Sequence, residues 1–157
     1  MRRILILVVV LLAFVLQTIV FANANWKCVF TDDGGVYYLE TTTVSPRIDD
    51  KGLYANIWAK QIPSIDFLDK FARNTSANNQ EIYSLGEIVS HYEIRPSKWE
   101  YRVLKRIFYN KNYEVIHIDD EVSPWMKFKP QTAIDAIARE SVAISIQESN
   151  KNKMCTF

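Results

Sequence analysis

Two histidines and an acidic run are the first residues to weigh for chemistry. His91 and His117, with Asp119, Asp120 and Glu121, are residue types that bind metals. Neither histidine has a histidine or cysteine partner at a usual zinc spacing, so the pattern reads as two strand histidines beside a solvated acidic turn. No Ser/His/Asp or Cys/His arrangement assembles either, and no cofactor motif stands out. The expectation is a non-catalytic chain without a cofactor. Groups far apart in sequence do meet in catalytic triads, which keeps an enzyme open.

The second constellation is a basic strand interleaved with aromatics. Lys98, Trp99, Tyr101, Arg102, Lys105 and Arg106 form the candidate binding surface, with Phe108 close behind. Such a strand can stack bases or grip an anion. It also suits an open sheet face, where basic stems cover aromatic rings and charges guard against edge pairing. The charge balance decides against nucleic acid. Lys plus Arg number 19 and Asp plus Glu 18. Removing Arg2 and Arg3 with the N-terminal segment described next gives 17 − 18 = −1, whereas nucleic-acid binders carry a basic excess.

That segment reads as a secretory signal. Arg2 and Arg3 precede an unbroken apolar run over residues 4–16, and Ala22-Asn23-Ala24 supplies the small residues of a cleavage site. Cleavage is expected between Ala24 and Asn25, and the product acts outside the cytoplasm, in the periplasm, at the cell surface or secreted. Membrane contact is then confined to the signal. An uncleaved anchor is the alternative. The apolar stretch approaches the roughly 20 residues a span needs, but Gln17 and Thr18 interrupt it. Residues 1–24 are thus assigned to the signal, 25–147 to one domain and 148–157 to a polar tail.

The domain keeps Cys28 and Cys155. In an oxidising compartment an even count invites a disulfide, which across so long a loop stabilises by about 4–5 kcal/mol on chain entropy. Two free thiols are the alternative, and the separation of the Cα atoms decides between them.

The elements that must position these residues follow from pattern. Residues 26–30 and 36–43 are β-prone runs around Asp32-Asp33-Gly34-Gly35, a hairpin signal. Residues 45–52 read as a second turn, and 53–60 alternate as a strand with both faces partly covered. Ile65, Leu68, Phe71 and Ala72 have helical spacing, and residues 74–80 read as a polar loop. One or two strands follow over 82–95. Residues 99–109 form the clearest strand, with Trp99, Tyr101, Val103, Ile107 and Tyr109 on one face and Arg102, Leu104, Arg106 and Phe108 on the other. Residues 113–118 return as its partner. Thr132 and Asp135 approximate a capping box for a helix over 132–146, with Ile134, Ile137, Ala138, Ser141 and Val142 as its buried stripe. Strands followed by one terminal helix predict an α+β fold, an antiparallel sheet of about five to seven strands with that helix packed on it.

The order of motifs resembles the surface-adhesin protein E family of small exported bacterial domains. The residues that carry it are Trp26, Ile57-Trp58-Ala59-Lys60, Glu100-Tyr101-Arg102-Val103-Leu104, Tyr109-Asn110-Lys111-Asn112, and Trp125 ahead of Pro130 and a helix. The resemblance spans residues 26–143. It implies an antiparallel sheet with a C-terminal helix and a role in surface attachment, with a host or cell-surface protein as partner. Such domains often tie a central strand to the helix end by a disulfide. The matching positions, near Arg95 and Ala143, hold no cysteine, and Cys28 with Cys155 is the pair that would replace it.

Aromatics make up 13 % of the chain, more than core filling needs in a domain this small. Tyr and Trp bury wide area at little entropic cost, which suits binding surfaces. An adhesin-type binding module is therefore the leading expectation. An envelope structural protein acting by self-association and a small exported hydrolase are the alternatives.

Overall fold

The structure is a computed structural model that describes residues 25–50, 52–74 and 79–154. The signal segment and Cys155 lie outside the described residues, so the export and disulfide expectations are carried by sequence alone.

The chain starts with a hairpin, β1 (Trp26–Asp32) and β2 (Gly35–Glu40). Asp32 turns it, its Oδ1 accepting the Gly34 N–H at 2.7 Å. Gly35 sits at φ +130°, and a Cβ there would stand 2.1 Å from the Ile62 carbonyl oxygen. Only glycine permits that approach of β2 to the following long strand. The next hairpin is β3 (Ser45–Asp49) and β4 (Gly52–Pro63), paired from Ser45↔Asn56 to Asp49↔Gly52. The reading of 45–52 as a turn is corrected here: most of it is strand. Pro46 lacks a ladder donor, which an edge strand tolerates and a sequence pattern disguises.

Ser64 starts helix α1 (Ile65–Asn74), its Oγ accepting the Phe67 N–H at 3.1 Å. A one-and-a-half-turn helix α2 (Asn79–Ser84) then leads into β5 (Leu85–Arg95). The expected start of strand at Ile82 is corrected too. Ile82 is helical because its side chain is buried with Leu68, Leu85 and Ile88. A 3-10 turn (Pro96–Lys98) and Trp99, left-handed at φ 54°, reverse the chain into β6 (Glu100–Asn110). Strands β7 (Val115–Asp119) and β8 (Met126–Lys127) and helix α3 (Ala133–Met154) complete the order.

The α+β expectation is met. All pairings are antiparallel, in the order β1-β2-β4-β5-β6-β7, with β3 on β4 and β8 on β6 making eight strands. The register sets the two faces. Leu39, Ala59, Ser90 and Arg106 pair in succession and share one face, while Lys60, Val89 and Ile107 share the other. Helix α3 covers the first face, Ile137 and Ala138 packing on Leu39, Ala55, Ile57, Ala59 and Ile94. Helices α1 and α2 cover another part of that face through Leu68 and Ile82 on Ile88.

A bulge overturns the expected faces of β6. His91 pairs with Lys105 but Tyr92 pairs with Val103, so Leu104 is an extra residue that flips the alternation. Arg106 and Phe108 therefore join Tyr101 and Val103 on the helix side. Ile107 and Tyr109 join Arg102 and Lys105 on the open side. Helix α3 begins as its sequence predicts. Thr132 Oγ1 accepts the Asp135 N–H at 3.4 Å, and Asp135 Oδ2 accepts the Gln131 N–H at 2.8 Å. It continues to Met154, beyond the expected end at 146, because no glycine or proline follows Pro130 to stop it.

Candidate functional site

The bulge divides the six candidate residues among three places. Arg102 and Lys105 lie on the open face. There Arg102 donates from Nε to Glu93 Oε2 at 2.6 Å, and its guanidinium stands 4.8 Å from the Trp125 ring centre. Arg95 reaches the same ring at 4.2 Å and bonds Asp49 Oδ2 at 2.7 Å. Beside them Trp58 stacks on His91 at 4.6 Å, nearly parallel at 7°, and Lys60 lies 4.7 Å from the Trp26 ring centre. Cation–π contacts of this kind hold aromatic rings in one orientation. Lys98 and Trp99 sit apart in the reversal before β6, where the exposed Trp99 ring leans on Phe128 at 5.3 Å.

Tyr101 and Arg106 face the other way, into a cleft of about 300 Å³ between the sheet and the start of α3. Its floor includes Tyr37, Gln61, Ser90 and Tyr92, and its wall Thr132 and Ile134. Burial, then the charge of Asp32, pushes the Tyr37 hydroxyl up to about 12, and Gln61 Nε2 donates to its oxygen at 3.2 Å. Burial likewise raises the Tyr92 hydroxyl. These phenols are neutral hydrogen-bonding groups at physiological pH. Cleft chemistry is thus polar recognition among Arg106, Lys60 and Asp32, with Arg106 also 3.8 Å from Asp119.

The histidines are separated as well. His91 is on the open face, where burial lowers its pKa against the opposing pull of Glu93. His117 pairs with Phe108 on the helix side, ring centres 5.4 Å apart. Glu121 is tied locally, its N–H bonding Asp119 Oδ1 at 3.3 Å.

One surface escaped the pattern reading. Strand β7 is an edge, paired only with β6. Its Val115, Ile116 and Ile118, with Val122 just beyond, are 45–52 % exposed, and Tyr113 before it is 76 % exposed. The other edges differ in side chains: β1 exposes Lys27 and β3 carries Pro46 and Arg47, whereas β7, bulged at Ile116 as β1 is at Val29, exposes apolar side chains. The signal was available, since Val115-Ile116-His117-Ile118 is apolar on both phases yet ends in three acids. A strand with both phases apolar reads as buried, and only the sheet order shows it to be an edge.

No protein family, curated protein or solved structure matches the chain. Among the described residues no helix is long and apolar enough to cross a membrane.

Proposed function

We propose that this chain is an exported, non-catalytic binding module of adhesin type that holds an extended segment of a protein partner along β7. The observation that supports this reading is the exposed apolar side chains of the β7 edge. An unpaired strand offers a row of backbone donors and acceptors, and strand addition uses them for affinity while side chains on both faces select sequence. Glu114 before the strand and Asp119, Asp120 and Glu121 at its end favour a segment with basic flanks. The same acids oppose self-pairing. An antiparallel two-fold pairing centred at or just before His117 sets Glu114 against Asp120 or Asp119.

Labelled domain applied to cultured epithelial cells tests the proposal. Saturable binding is expected that surface proteolysis of the cells abolishes and Ile116→Lys in the domain removes. Binding that survives Ile116→Lys, or no saturable binding at all, overturns it.

A further inference from the structure

Glu40 is a carboxylate placed where none should be comfortable. It closes β2, is only 2 % exposed, and forms no ion pair with a side chain among the described residues. Three donors converge on its Oε1: the Thr42 hydroxyl at 2.7 Å, the Thr42 N–H at 3.2 Å and the Asn25 N–H at 2.9 Å. Its Oε2 is buried without a partner. Burial by itself would raise the Glu40 pKa, but the hydrogen bonds from Thr42, Thr43 and Asn25 outweigh it and hold the group below the usual carboxylate range. A buried anion with one orphaned oxygen calls for a cation.

The residue in contact with it is the one expected to become the N-terminus. Asn25 is also gripped from its other side, its carbonyl accepting the Thr41 N–H at 3.0 Å and the Thr41 hydroxyl at 3.1 Å. We propose that cleavage before Asn25 turns its nitrogen into an α-ammonium that forms a buried ion pair with Glu40 and locks β1 onto β2. The inference rests on the export reading and on cleavage between Ala24 and Asn25. In that step water adds across the peptide bond under a signal peptidase, Ala24 leaving with the new carboxylate and Asn25 keeping the amine. An amide nitrogen offers Glu40 one hydrogen. The ammonium offers three, enough to keep the bond to Oε1 and supply one to Oε2. Before cleavage the pocket is unsatisfied, so processing itself completes the fold. Lys27, Lys60 and Arg139 are each engaged with another acid: Glu140 of α3, Glu87 of β5 and Asp135.

Two measurements test the two steps separately. Intact mass of protein recovered from the cell envelope should show a chain starting at Asn25. A natural terminus elsewhere overturns the proposal at its cleavage step. Thermal melting then compares the protein starting at Asn25 with one that retains Ala24, each with Glu40 and with Glu40→Gln. The Asn25 form is expected to melt several degrees higher, and the gap should vanish when both carry Glu40→Gln. Equal melting of the two Glu40 forms, or a gap that survives Glu40→Gln, overturns the ion pair. If Glu40→Gln does not fold, titration of the α-amine decides. In the Asn25 form its pKa should stand above the ordinary range of about 7.7–8.0, and an ordinary value overturns the pairing. The folded value is raised, so the melting gap is full below that range and shrinks as pH climbs through it.

Discussion

Tyr37 shows how much a single side chain depends on what the fold packs around it. Its hydroxyl is pushed up to about 12 by burial first and by Asp32 second, against 10.0 in an unstructured chain. The folded state therefore holds this proton more tightly than the unfolded one. The resulting stabilisation is complete below pH 10 and is lost as pH rises toward 12. Spectroscopic titration should show a Tyr37 phenolate step near pH 12, and Tyr37→Phe should remove that step. Gly35 supplies the second prediction at this scale. Gly35→Ala combines a positive φ with a Cβ 2.1 Å from the Ile62 carbonyl oxygen. Chemical denaturation should register a loss of more than about 1 kcal/mol. The Gly34-Gly35 turn is legible in sequence, but the carbonyl that forbids a side chain comes from β4 and is not.

At the scale of elements, α3 rests on the sheet through Ile137, which is 1 % exposed. Ile137→Asp buries an unpaired charge and should cost several kcal/mol in thermal or urea unfolding. Ile146→Asp is the matched control, at 56 % exposure, and should stay within about 0.5 kcal/mol of wild type. The helix was readable because its cap and its stripe are local, three to four residues apart. The faces of β6 were not. Alternation assumes an unbroken ladder, and the extra Leu104 is defined only by the register against β5. Ile82 tells the same story: β-prone in isolation, it is helical because Leu68 and Ile88 bury it.

The whole molecule presents one helix-covered sheet face, one open face built from stacked rings and cations, and an apolar edge at β7. Because a two-fold pairing centred at or just before His117 sets Glu114 against Asp120 or Asp119, sedimentation at neutral pH should find a monomer. A dimer that Ile116→Lys dissolves would instead establish self-association along that edge.

Sequence alone was sufficient for what depends on composition and short spacing. It predicted the α+β class, the first hairpin, the long β6 strand and the capped helix at 132, because hydrophobic period, turn chemistry and capping act over a few residues. It also brought together the basic and aromatic residues of β6 as a list. Tertiary structure alone decided which of them share a surface. The bulge sends Tyr101 and Arg106 toward the cleft and leaves Arg102 and Lys105 on the open face beside Trp125 and His91. It likewise decided that β7 is an edge and that Asn25 meets Glu40 across 15 residues of chain. Each of these turns on a non-local pairing, and pairings between distant segments leave no periodic mark in either partner.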